Sequence, residues 1–143
     1  MPKVEKTATI NVPVEKVFDY WTEPANLPEF WPSLVEVKDR QRLPNGGNSF
    51  RWVYKMAGVR FEGTSEDVEY LANQRTVTKG KGGIESTITM MFQPEAGGTQ
   101  VTLEVEYTVP IPLLGKLAEA AVVKLNENEI VLVLANLKDR MEA

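Results

Sequence analysis

Between Leu34 and Val109 the chain alternates apolar and polar residues in six successive runs, each closed by a cluster of turn-forming residues. Phe50, Trp52, Tyr54 and Met56 occupy every second position, and Val101, Leu103, Val105, Tyr107 and Val109 repeat the pattern with Thr and Glu between them. A period of two is the spacing of a strand with one buried face. The punctuation is equally explicit: Pro44-Asn45-Gly46-Gly47, Ala57-Gly58, Ala72-Asn73, Gly80-Lys81-Gly82-Gly83 and Pro94-Glu95-Ala96-Gly97-Gly98. Strands joined by connections this short pair as an antiparallel meander. Gly63, inside the long run from Val59 to Leu71, predicts a bulge or bend. Val77 is the one clear core residue predicted for the run from Gln74 to Lys79.

Such a sheet needs a cover for its apolar face, and the flanks supply one. Lys3 to Val12 adds a seventh alternating run. Pro13 stops it, and Val14, Val17, Phe18 and Trp21 then follow at helical spacing. Ala25 to Trp31 reads as a second short helix or turn. From Lys116 to Ala143 there is neither proline nor glycine, which predicts one long helix. Strands grouped together and helices at the two ends indicate an α+β fold, a curved antiparallel sheet of about seven strands wrapped around the carboxy-terminal helix.

The chain has 143 residues, enough for one domain with a substantial core, and residues 1–143 are expected to form a single unit. Its net charge of −4, with acids and bases interspersed, offers no basic tract for a phosphate backbone, so no nucleic-acid partner is expected. With no cysteine and no histidine, a thiolate nucleophile, the commonest metal ligands and the usual general base are all missing. No metal or cofactor is expected, and catalysis would fall to carboxylates, tyrosines, lysines or water. The amino terminus lacks a signal-peptide pattern, and the longest apolar run, Ile130 to Ala135, is too short to span a bilayer. A cytoplasmic protein, monomeric or weakly dimeric and not integral to a membrane, is the expectation.

The segment Ala8-Thr9-Ile10-Asn11-Val12-Pro13-Val14-Glu15-Lys16-Val17-Phe18-Asp19-Tyr20 resembles the opening of the START-like, or SRPBCC, superfamily of helix-grip proteins. Pro24-Ala25-Asn26-Leu27-Pro28-Glu29-Phe30-Trp31-Pro32 is similar to that family's approach to its second strand. The resemblance spans the chain and is specific for fold, while members range over lipid carriers, receptors, polyketide cyclases and co-chaperones. It implies an elongated apolar cavity between sheet and helix. The Gly80–Gly83 loop and the Pro110-Ile111-Pro112-Leu113-Leu114 segment would lie near its mouth.

Candidate ligand-binding residues follow from that expectation. Phe30, Trp52, Tyr54, Met56, Phe61, Met90, Phe92 and Tyr107 supply large side chains from the sheet side, with Phe50 beside them. Leu114, Leu117, Ala121 and Leu125 are the matching helix residues, on a stripe that Ala118 and Leu132 extend. Large strand residues against a helix rich in alanine either leave room for a ligand or interdigitate without a void. Buried Trp52, Tyr54 and Tyr107 would each need a polar partner, which a ligand can supply. Glu129 falls within the helix stripe. It marks either the place where the helix leaves the core, with exposure or an ordinary salt bridge the simpler reading, or a buried carboxylate with a partner.

Three functions fit these features. One is a carrier or sensor that binds a hydrophobic or lipid-like molecule between sheet and helix. Another is an enzyme of polyketide cyclase/dehydratase type, with a carboxylate or tyrosine directing the reaction. The last is an interaction module resembling the co-chaperone branch. No pair of acids lies clearly on an inward face, since Glu104 and Glu106 alternate with core residues.

Overall fold

The computed structural model describes residues 2–56, 58–109 and 116–143. Strand β1 (Lys3–Ile10) is followed by helix α1 (Val14–Trp21), a 3-10 turn (Pro24–Asn26) and the four-residue helix α2 (Leu27–Phe30). Strands β2 (Leu34–Arg42), β3 (Asn48–Met56), β4 (Val59–Leu71), β5 (Arg75–Gly82), β6 (Ser86–Glu95) and β7 (Gly98–Tyr107) come next, then helix α3 (Lys116–Glu142). All seven strands form one antiparallel sheet in the order β1-β7-β6-β5-β4-β3-β2. Consecutive hairpins account for every pairing except that of β1 with β7, which closes the meander on the first strand. This is the helix-grip α+β architecture.

Local chemistry explains the helical segment between β1 and β2. Pro13 precedes α1, whose Val14, Val17, Phe18 and Trp21 are all buried. Thr22 ends the helix, its hydroxyl donating to the Phe18 carbonyl at 2.7 Å. Phe18 meets Phe92 edge-on at 5.1 Å between centroids, and Phe30 stacks on Trp21 at 5.4 Å. The short helices are thereby fixed on the concave face of the sheet.

Two features of the strands depart from expectation. Gly63 stays in regular register, opposite Trp52 on one side and Gly82 on the other. A Cβ there would lie 2.3 Å from the Trp52 ring and 2.4 Å from the Lys81 carbonyl oxygen, so this glycine gives the indole its place rather than bending the strand. The irregularity of β4 falls instead between Asp67 and Glu69. Gly80, Lys81 and Gly82 belong to β5, not to a loop, and the turn that follows is correspondingly short.

Helix α3 buries Val122, Asn126, Ile130, Val133, Leu134 and Leu137. That face is rotated by about one residue, roughly 100°, from the predicted stripe. Leu117, Leu125 and Leu132 are 89%, 55% and 51% exposed, and Ala120 and Ala121 face outward too. Apolar residues lie almost all round this helix, so periodicity alone had no single stripe to select. Its backbone comes closest to β1 and α2. Lys138 donates to the Thr9 carbonyl at 2.7 Å, Asn136 to the Phe30 carbonyl at 3.2 Å and Arg140 to the Glu29 carbonyl at 3.0 Å. Held along β1 and α2, the helix leaves space over the middle strands. No described helix is long and apolar enough to cross a membrane.

Candidate functional site

That space is a cavity of about 120 Å³, measured for the centres of water molecules. A single water needs about 10–15 Å³ on that measure, so there is room for a small organic molecule. All three tryptophans of the chain, Trp21, Trp31 and Trp52, line it. Leu27, Leu34, Phe50, Met56 and Ile84 complete the apolar wall.

The floor is polar, and the register shows why. Phe50, Ser65, Gly80, Ser86 and Tyr107 lie opposite one another in a single row across five strands. In the next row Asp67 faces Thr78, Thr78 faces Ile88 and Ile88 faces Val105. In a strand every second side chain shares a face, so Ser65 and Asp67 of β4 point inward together, as do Thr76 and Thr78 of β5. Val77 therefore points away from the core, contrary to expectation, and Val68 is 47% exposed. A Cβ on Gly80 would come within 2.7 Å of the Ser86 hydroxyl, so glycine there keeps the floor open between the two serines.

Asp67 is 7% exposed. Its Oδ2 accepts from the Asn48 backbone N–H at 2.8 Å and its Oδ1 from the Thr78 hydroxyl at 2.7 Å. It pairs with no cation among the described residues. Burial pushes its carboxyl above the usual aspartate value, and the two hydrogen bonds oppose that rise. Asn48 is itself oriented: its side-chain amide donates to the Thr22 carbonyl at 3.0 Å and accepts from Arg40 Nε at 2.8 Å.

Tyr107 is 2% exposed, and its hydroxyl has no hydrogen-bond partner among the described residues. Asn126, from the buried face of α3, is its polar neighbour in the cavity wall. Burial raises the Tyr107 hydroxyl, and the Asn126 side chain lies near enough to oppose that rise without meeting the hydroxyl in hydrogen-bond geometry, so it remains a protonated donor.

Glu129 is neither at an exposed helix end nor in a salt bridge among the described residues. It accepts from Trp31 Nε1 at 3.2 Å and from the Ser33 backbone N–H at 3.1 Å, and also from the hydroxyls of Ser33 and Tyr54. Arg75, a conceivable cation partner, pairs with Glu69 instead. Burial, then the Glu129 charge, pushes the Tyr54 hydroxyl far above the ordinary phenol range, so that proton stays on Tyr54. Glu129 is not among the residues lining the cavity; it holds Trp31 and Tyr54, which are.

Of the candidate residues, Trp52, Tyr54, Met56 and Tyr107 are brought together in the cavity wall. Met90 and Phe92 are buried in the core and absent from the cavity lining, Phe92 lying against Phe18 of α1, and Phe30 packs on Trp21. Phe61 is half-buried and outside the lining. Leu117, Ala121 and Leu125 are turned away, while Leu114 and the rest of the Pro110–Leu114 segment lie outside the described residues. Sequence reasoning missed Ser65, Asp67, Thr76 and Thr78, because inward polar residues imitate the outward half of an alternating strand; it put Ser86 in the inward row without a role, and missed Asn126 because the helix face was misplaced.

Comparisons with known proteins agree with this fold. A START superfamily protein from Mycobacterium smegmatis superposes with a TM-score of 0.82 at 16% identity, over 98% of this chain and 97% of that one. A Thermus thermophilus protein matches with a TM-score of 0.76 at 27% identity, again over 98% and 97%. The Zhui aromatase/cyclase of a Streptomyces species gives 0.74 at 16% identity, over 99% and 96%. The model of the family described as polyketide cyclase / dehydrase and lipid transport matches residues 1–142. The chain belongs to that family, and its fold is shared with a START superfamily protein.

Proposed function

We propose that the protein binds a small, mostly apolar molecule in the cavity between sheet and helix, as a carrier or sensor. The observation that carries this reading is the Tyr107 hydroxyl, buried in the cavity wall and unpaired among the described residues. Leaving such a group unsatisfied costs about 1–3 kcal/mol, and a ligand oxygen or nitrogen would recover it. Apolar walls with a few placed polar groups are the usual make-up of small-molecule pockets. Native mass spectrometry of protein purified from its own host tests the reading, with a copurified apolar compound as the expected result. Tyr107→Phe should weaken binding of that compound by about 1 kcal/mol, roughly fivefold, while the melting temperature stays level or rises, because the variant loses an unpaired hydroxyl. Equal affinity in variant and wild type would remove the hydroxyl from the site.

A second reading, an enzyme of cyclase/dehydratase type, is favoured by Asp67. A buried carboxylate in a cavity, unpaired with a cation and raised in pKa, is suited to proton transfer. Turnover of a polyketide-like substrate, lost in Asp67→Asn, would promote it; absence of turnover with tight binding would leave the carrier.

A further inference from the structure

The charges around the cavity are one-sided. Asp67 is among the residues that line it, and neither Lys nor Arg is. The residues outside the description, 1, 57 and 110–115, contribute no Lys or Arg side chain either. The cation closest to Asp67 through its hydrogen-bond chain is Arg40, and it is already committed. Its Nε donates to Asn48 and its guanidinium lies 3.4 Å from Glu23. On β5 the cations alternate outward, Lys79 lying opposite Glu66 while Thr78 faces Asp67.

Resting on the cavity-binding reading above, we propose that this site selects its ligand by charge. It takes a molecule whose buried polar group is a hydrogen-bond donor, a hydroxyl or a protonated amine, and it turns away carboxylates. Each Asp67 oxygen has one protein donor, and a carboxylate oxygen can accept a second, so the site offers unfilled acceptor positions beside Ser65 and Thr76. A carboxylate ligand would meet no cation to offset its desolvation and would add a like charge near Asp67. An anionic lipid head is thus the wrong partner for this floor, although the walls suit an acyl or aryl body. Tyr107 stands three strands away across the sheet, roughly 14 Å, and two residues, roughly 7 Å, along it. A ligand that satisfies both groups therefore carries polar atoms at two ends.

The intrinsic fluorescence of Trp21, Trp31 and Trp52 reports on the cavity directly, since all three line it. Three probes that share one body suffice: phenylbutanol, phenylbutylamine and phenylbutyrate. Titrated into the intact protein near neutral pH, the alcohol and the amine should bind at least about tenfold more tightly than the carboxylate. In Asp67→Asn the amine should lose about tenfold, the carboxylate should gain, and the alcohol should stay within about threefold. Phenylbutyrate binding as tightly as the alcohol in the wild type overturns the proposal, as does an unchanged ranking in the variant. The wild-type ranking decides by itself if the variant fails to fold. If none of the probes changes the fluorescence or competes with a copurified compound, the cavity-binding reading fails and this inference fails with it.

Discussion

Glu129 and Asp67 are two carboxylates turned inward, and neither has a cation partner among the described residues. They differ in how completely the protein satisfies them. Glu129, on α3, accepts from two backbone or ring N–H groups and two hydroxyls, and is half-buried behind Trp31 and Tyr54. Asp67, on β4, accepts from one N–H and one hydroxyl, and faces the cavity. A carboxylate has room for about four such bonds. The saturated one has nothing left for a ligand and serves as a clamp between helix, α2 and sheet. The half-satisfied one keeps acceptor capacity where a ligand can reach it.

The comparison breaks most visibly at the clamp. Glu129→Ala would leave the Trp31 ring N–H, the Ser33 N–H and the Tyr54 hydroxyl without their acceptor. We expect a loss of about 3 kcal/mol, a fall of roughly 10 °C in melting temperature, from the summed cost of several half-buried donors losing their acceptor. Glu129→Gln keeps one acceptor oxygen but presents an amide donor to Ser33, so about half that loss is expected. Thermal unfolding of both variants measures it. A loss below about 0.5 kcal/mol in the alanine variant would mean that Glu129 is solvated in solution, and the contrast with Asp67 would collapse.

Asn48→Ala sharpens the other side. The side chain of Asn48, 2% exposed, joins the Thr22 carbonyl at the end of α1 to Arg40 on the edge strand. Removing it should cost about 2 kcal/mol in denaturant unfolding. The backbone N–H that Asp67 accepts from survives the substitution, so binding of neutral ligands should fall far less than stability does. Parallel losses of both would show that the Asn48 side chain belongs to the recognition surface.

How much of this was legible follows from what alternation encodes. β7 and the outer arm of β3 read true because Val101, Leu103, Val105, Phe50 and Trp52 are apolar residues facing a dry core or wall. The turns read true because Gly46, Gly58 and Gly97 take positive φ angles that other residues rarely adopt. β5 failed at Val77, and the inner face of β4 beyond Gly63 went unread, because a cavity floor admits Ser, Thr and Asp on the inner face while Val68 and Val77 occupy the outer one. Hydrophobic alternation reports the side away from water, and here polar residues mark the interior. The helix face failed for the opposite reason: the run from Ile130 to Leu134 is apolar on every side, so one residue of rotation changed which leucines were buried. Glu129 was legible as an anomaly in that stripe, but its partners Trp31, Ser33 and Tyr54 are 75 to 98 residues distant in sequence, and only the fold brings them to it.

The smallest effect is the one that tests Asp67 itself. Its folded pKa is raised above the ordinary value of 3.8, chiefly by burial. For an acid shifted in that direction, ionisation costs the folded state more than the unfolded one. Its contribution is therefore most favourable where both states are protonated, and declines as pH rises through the unfolded and then the folded pKa. Asp67→Asn has no such titration, and its side chain still accepts from the Asn48 N–H while its amide can donate to the Thr78 hydroxyl. The difference in melting temperature should therefore shift in favour of the variant as pH is raised from below 3.8 toward neutrality, and level off above the folded pKa. The groups packed against Asp67, namely Asn48, Ser65, Thr76 and Thr78, do not titrate in that window, so the change belongs to Asp67. A shift of the opposite sign would mean that the carboxylate is stabilised by its surroundings as an anion. Asp67 would then be satisfied by the protein itself, and the selectivity for donor ligands would lose its physical basis.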